Sequence, residues 1–208
     1  MIILLITNPI TMSFYFSKKN AQNFVKESYQ KMYNIASLKN FSKHLLKKSF
    51  ILDLGCGGGQ DSLIFAQQGH TVTGIDITSE VIRLAKKKVN HPKVTFKKSS
   101  FEKFSTSKKF DGIWCAKVFH FIPLEDQNAF IKKVYKILKP GGVFYLTSKT
   151  TDKRIDYELN DGEYGTTRKR LTRKTFESIL RKNGFQIMYF KYWNKKVGME
   201  IIAKKNIV

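Results

Sequence analysis

Cysteine is nearly absent. Of 208 residues only Cys56 and Cys115 are cysteines, in different segments, with no C-x-x-C pair and no Cys/His cluster. That argues against a disulfide framework and against a metal site, and fits a reduced, cytoplasmic protein. Long apolar runs are missing too. The opening MIILLITNPI is apolar for only about six residues and has neither a basic leader nor a small-residue cleavage site, so it reads as neither signal peptide nor membrane span. It is expected to be a short added strand, or an upstream start with Met12 as the initiator. No internal repeat, low-complexity tract or linker interrupts the chain, and 42% hydrophobic residues over this length suit one domain with a full core. Acidic residues are few: 16 Asp+Glu face 38 Lys+Arg, for a formal charge of +22. Such an excess invites a polyanionic partner. The lysine pairs are scattered, however, from Lys18-Lys19 and Lys47-Lys48 to Lys195-Lys196 and Lys204-Lys205, where helix faces and loops would be solvated. A lysine-rich surface and a nucleic-acid partner both remain open on charge alone.

What is present is alternation. From Ser17 to about Lys47, apolar residues at helical spacing predict two helices anchored by Phe24, Tyr29, Ile35, Leu38, Leu45 and Leu46. Strands are predicted at 49–54, 71–76, 93–97, 110–115 and 143–148. Helices are predicted from about Gln60 to Gly69, over 79–89 with Ser79 as N-cap, and over 124–138, stopped by Lys139-Pro140-Gly141-Gly142. A polar stretch, 149–170, precedes a helix over 172–183 and two closing strands, 186–193 and 197–203. Apolar strands alternating with helices predict a Rossmann-like α/β fold, a mostly parallel sheet covered on both faces.

The segment ILDLGCGGGQ, residues 51–60, puts four glycines in five positions after a buried-looking strand. In such sheets a glycine turn after the first strand marks the ligand. The nicotinamide pattern G-x-G-x-x-G/A fits only in part: Gly55 and Gly57 match, but Gln60 occupies the third position and Asp61 follows in the first helical turn, where a pyrophosphate would be repelled. S-adenosyl-L-methionine, with a sulfonium and an ammonium against one carboxylate, turns Asp53 and Asp61 into favourable neighbours. Asp76 lies 23 residues after Asp53, at the end of the second strand, where it is placed to accept the ribose hydroxyls, with Ile77 beside it against the adenine.

Together, ILDLGCGGGQ, GIDIT, SSFEKF, FDGIWCAKVFHFIP and LKPGGVFYLTSK resemble class I S-adenosylmethionine-dependent methyltransferases over about residues 49 to 150, nearest to small tellurite- and thiopurine-type and related bacterial members. The resemblance implies a seven-stranded sheet of order 3-2-1-4-5-7-6 with strand 7 antiparallel. It also implies roles: Asp53, Gly55, Cys56 and Gly57 at the methionine end of the cofactor, Asp76 and Ile77 at the ribose and adenine, Ser100 and Phe101 at the adenine, and Ala116 at the methionine amine. Ser100 stands where an aspartate is common, leaving a hydroxyl or backbone contact. No Asn/Asp-Pro-Pro-Tyr/Phe motif follows the fourth strand, unlike the amino methyltransferases of DNA adenine or protein glutamine.

The chain is therefore expected to be a single methyltransferase domain with residues 1–48 as a helical cap, 49–208 as the sheet core and 149–170 as a substrate lid. His120 is the candidate base, though a structural place in the cofactor shell is the stronger reading, and Lys117 is expected to offer backbone contacts. Tyr164 and Arg168 are the candidate acceptor-binding residues, and no metal is expected. The expected reaction transfers methyl to a small molecule, leaving S-adenosyl-L-homocysteine. An RNA acceptor, or cofactor binding without transfer, are the alternatives.

Overall fold

The computed structural model describes residues 17–30, 35–149, 157–160, 167–193 and 198–207. Two helices come first, α1 (Lys18–Gln30) and α2 (Ile35–Ser42). The alternating core follows: β1 (Phe50–Leu54), α3 (Gln60–Gln67), β2 (Thr71–Asp76), α4 (Ser79–Lys88), β3 (Val94–Lys98), β4 (Phe110–Cys115), a 3₁₀ turn (Phe119–Phe121), α5 (Leu124–Ile137) and β5 (Leu138–Lys149). A hairpin, β6 (Tyr157–Asn160) and β7 (Thr167–Arg170), leads to α6 (Arg173–Lys182), β8 (Phe185–Trp193) and β9 (Gly198–Lys205).

Seven strands form one sheet in the order β3-β2-β1-β4-β5-β9-β8. With β8 and β9 counted sixth and seventh, this is the expected 3-2-1-4-5-7-6. β9 is antiparallel to both β5 and β8, while β1 to β4 pair in parallel and β4 pairs β5 in parallel. One face packs against the 3₁₀ turn, α5 and α6 through residues such as Phe119, Phe130 and Phe176. The other packs against α2 and α3, where Leu38, Phe41 and Phe65 meet Trp114 and Tyr145. Trp114 and Tyr145 stack with ring centroids 3.6 Å apart, so β4 and β5 are joined by their side chains as well as by their ladder.

Helix boundaries follow local chemistry. The Thr172 side chain accepts the amide of Thr175 and starts α6. In α4, Lys86, Lys87 and Lys88 occupy the last turn, where the helix dipole favours cations. Asp111 accepts the Phe50 amide at 2.7 Å and pairs with Lys139 at 2.8 Å, tying β1, β4 and β5 at the edge opposite the glycine turn.

Four details depart from the sequence reading. Phe24, Ile35 and Leu46, expected as anchors, are 41%, 37% and 83% exposed, and the buried residues of the first two helices are Ala21, Val25, Leu38 and Phe41. The α4 N-cap is Thr78 rather than Ser79, and its side chain makes no capping bond but turns to the Asp76 carboxylate, which also takes the Thr78 amide. Pro140, Gly141 and Gly142 do not separate helix from strand: β5 starts at Leu138 and absorbs them in an irregular register beside β4, with Gly141 at φ +72°. Within 149–170 the chain forms the β6–β7 hairpin, which the polar sequence did not announce.

Candidate active site

The carboxyl ends of β1, β2, β4 and β5 and the amino end of antiparallel β9 meet along one edge. After Leu54 the chain turns on Gly55 at φ +70° and Gly57 at φ +52°, left-handed values that a side chain resists. At Gly55 space is also short: a Cβ there would lie 2.3 Å from Cγ2 of Val118. The first turn and the turn after β4 thus interlock, and only glycine allows it. The amides of Gly55 and Cys56 bond the carbonyl of Ile75, fixing the turn to the end of β2. From above, α1 closes on it, with the Tyr29 hydroxyl donating to the Gly58 carbonyl at 2.8 Å.

Asp76 stands between the two loops. One carboxylate oxygen accepts the Gly57 amide at 3.3 Å and the other the Thr78 amide at 2.9 Å. The Thr78 hydroxyl and the Ile77 amide also act on this carboxylate. Burial raises its pKa, and the bonds from Thr78 and Gly57 oppose that rise. Asp53 is 2% exposed and accepts the Ser62 hydroxyl at 2.6 Å. Burial, then the charge of Asp61, push its pKa up to about 8, against the Ser62 bond, with Asp76 adding to the rise. Asp61 in turn accepts the indole N–H of Trp114 at 2.8 Å. Asp53, Asp61 and Asp76 thus stand as three carboxylates around one glycine turn. That suits a cation and not a pyrophosphate.

The remaining expected residues fall as follows. The Cys56 thiol is buried among Ile82, Ala85, Val89 and Phe96, and burial pushes its pKa up, so it lines the turn without serving as a nucleophile. Ile77 is half-buried beside Asp76. The Ser100 hydroxyl accepts the Lys103 amide at 3.4 Å, and the Phe101 ring packs 4.6 Å from Phe130 with Lys133 above it. Ala116 follows β4, and Lys117 after it takes φ +60°, its amide donating to the Thr147 hydroxyl at 2.8 Å. His120 is 5% exposed in the 3₁₀ turn, its ring 4.3 Å from that of Phe121. Arg168 lies on β7 opposite Leu159, and Tyr164 lies outside the described residues, as do residues 1–16 with Met12.

Strand registers align the site. Asp76 pairs with Lys98, Asp53 with Trp114, Cys115 with Leu146, and Thr147 with Glu200. Along the edge the order is then Asp76, Gly55, Ala116, Thr147, Glu200. The last two were not read from sequence: nothing in LTSK or GMEII marks a site until β9 is known to run antiparallel beside β5. Among the described residues no group of three or more His, Cys, Asp and Glu is arranged to hold a metal, and no helix is long and apolar enough to cross a membrane.

A family model described as a methyltransferase domain matches residues 51–142, the stretch that holds every cofactor residue named above. Over that stretch the chain is similar to the class I S-adenosylmethionine-dependent methyltransferases. Among relatives, the ubiquinone biosynthesis O-methyltransferase of Actinobacillus pleuropneumoniae serotype 5b (strain L20) is 34% identical over 123 residues, covering 55% of this chain and 52% of that protein. A SAM-dependent methyltransferase structure from Methanosarcina mazei is 28% identical at TM-score 0.68, covering 85% of this chain and 99% of the other. The Burkholderia thailandensis 1,6-didemethyltoxoflavin-N1-methyltransferase, solved with bound 1,6-didemethyltoxoflavin and S-adenosylhomocysteine, shares the fold at TM-score 0.76 and 18% identity, covering 99% of this chain and 93% of the other. The chain spans about half the length of the curated relatives it matches. The family's methyl donor is S-adenosylmethionine, and the carboxylate-rich glycine turn fits its positive charge.

Proposed function

We propose that this chain transfers a methyl group from S-adenosylmethionine to an oxygen of a small organic acceptor. The observation that carries the donor half is the placement of Asp53, Asp61 and Asp76 around the glycine turn, three carboxylates that favour a cationic ligand. Bound there, the donor supplies an activated methyl on a sulfonium. Asp76 would hold the ribose hydroxyls, the Gly55 to Gly57 turn and Ala116 the methionine end, and Ser100, Phe101 and Ile77 the adenine. The chain's own contribution is alignment and exclusion of water, worth as much as ~7 to 11 kcal/mol when the reacting groups are held in line. Support for a small acceptor comes from the relative named for O-methylation in ubiquinone biosynthesis and the solved neighbour named for N1-methylation of 1,6-didemethyltoxoflavin. The β6–β7 hairpin, close to the 3₁₀ turn and to β5, would cover the acceptor, with Arg168 and Tyr164 in that segment.

The test is transfer of labelled methyl from the donor to a panel of small phenols, amines and thiols. Label on a phenol supports the reading, and label only on amines or thiols overturns the choice of oxygen. The charge of +22 favours a second reading, an RNA acceptor. Labelling of tRNA, with binding that weakens steeply as salt rises, would establish it.

A further inference from the structure

The line of edge residues continues past those assigned to the donor. Beyond Ala116 it reaches Thr147 on β5 and then Glu200 on β9, two strand spacings or roughly 10 Å from Ala116. Glu200 is a carboxylate only 8% exposed, on the sheet face covered by α2. Its Oε2 accepts the Ser37 hydroxyl at 3.0 Å, and its other oxygen, Oε1, has no hydrogen-bond partner among the described residues. Oε1 is not among the buried side-chain atoms left without a partner, so it is an acceptor that a ligand hydroxyl can reach.

The next feature on the same face is aromatic. Trp193 pairs with Gly198, two residues before Glu200 on β9, and its ring lies across that glycine: a Cβ there would sit 2.1 Å from Cζ2 of Trp193. Residues two apart on a strand point the same way, roughly 7 Å apart. An indole face and a carboxylate at that spacing match the width of a single planar ring.

We propose that Trp193 and Glu200 form the acceptor subsite of this methyltransferase and that it takes a planar ring bearing a free hydroxyl. Trp193 carries the ring face and Oε1 of Glu200 accepts the hydroxyl hydrogen. As the ring oxygen bonds to the methyl carbon, its proton passes to Oε1, and the electron pair of the broken carbon–sulfur bond returns to sulfur, leaving a neutral thioether. Burial raises the pKa of Glu200, against the Ser37 bond and the charge of Lys191, which makes it a stronger base than an exposed glutamate. The inference rests on the methyl-transfer reading above.

The experiment uses the full chain saturated with S-adenosylhomocysteine and the probes 1,2-dihydroxybenzene and 1,2-dimethoxybenzene, followed by calorimetry and by methyl transfer to the dihydroxy compound. The wild type is expected to bind the dihydroxy ring at least tenfold more tightly than the dimethoxy ring. Glu200→Gln keeps the size and the Ser37 bond. It should bind both rings alike, lower kcat at least tenfold, and keep its S-adenosylhomocysteine affinity within about twofold. Trp193→Ala should weaken both rings equally. If the wild type methylates the dihydroxy ring and Glu200→Gln does so equally well with unchanged ring affinity, the subsite is wrong and the methyl-transfer reading stands. If the wild type neither binds nor methylates any ring of a phenol panel, the oxygen-acceptor reading falls and the subsite falls with it.

Discussion

Asp53 lends itself to a quantitative test, because its carboxyl is worth different amounts to the folded and unfolded chain. Its pKa rises from 3.8 to about 8 on folding, with burial first and Asp61 second among the causes. Below pH 4 the group is protonated in both states, and the stability it contributes is fully present. As pH rises the unfolded chain ionises first, so stability is lost steadily until the folded group also ionises near pH 8, and the loss then levels off. Each unit of pKa difference is worth about 1.36 kcal/mol, so the interval from pH 5 to 7.5 should cost the free protein about 3 kcal/mol through this residue. Asn at this position keeps the shape and a carbonyl to accept the Ser62 hydroxyl, and removes the titration. Urea unfolding of wild type and Asp53→Asn at pH 5, 6.25 and 7.5 measures the difference in slope. Wild type should lose about 1 kcal/mol per pH unit more than the variant over this range. Parallel stability curves would show that Asp53 does not carry the proton and that the electrostatic account of the glycine turn is wrong.

Ligand binding should move the same proton. The donor's sulfonium favours ionised Asp53, so S-adenosylmethionine should release more protons near neutral pH than S-adenosylhomocysteine; calorimetry in buffers of different ionisation heat reads this, and equal release refutes it. Asp76→Ala should weaken S-adenosylhomocysteine by ~2 to 4 kcal/mol, since bonds to a charged group are worth ~1.5 to 3 kcal/mol each. Unchanged affinity in a folded variant would place the ribose elsewhere. Gly55→Ala should lower the melting temperature, because φ +70° costs ~1 to 2 kcal/mol for a residue with a Cβ and Val118 stands in the way. Val118→Ala should recover part of that loss, and its failure to do so would deny the interlock. Thr147→Val removes the acceptor of the Lys117 amide and should weaken S-adenosylhomocysteine by about 1 kcal/mol, whereas Thr147→Ser should not. Adding Lys117→Gly, free to adopt that conformation, should return part of the affinity lost in Thr147→Val; equal losses with and without it would show that the turn is not held by this bond.

The central sheet was legible because its strands are short apolar runs bounded by Gly and Asp: 71–76 and 110–115 coincide with β2 and β4. The residues proposed for the donor lie in turns next to those runs, which is why the sequence points to them. Helix faces were harder. Apolar spacing predicts α1 and α2 but not which stripe is buried: Phe24 and Ile35 face out, while Ala21 and Phe41 are buried. The small and the neutral were overlooked wherever packing, not hydrophobicity, decides. Thr147 and Glu200 were invisible for a different cause: their neighbourhood depends on strand pairing across more than fifty residues of chain.

That pairing has a consequence for inheritance. Every residue assigned to the donor lies between 53 and 116, inside the stretch shared with the family, whereas Trp193 and Glu200 lie on the terminal hairpin β8–β9. On the proposal above, donor handling and acceptor choice are written in separate parts of the gene and are brought together by the sheet. The hairpin meets the rest of the sheet through a single antiparallel ladder on β5. A lineage can thus exchange or drift at its carboxyl end and alter what is methylated while the machinery that delivers the methyl stays as it was, and a chimera joined after β5 would inherit its appetite from the second parent.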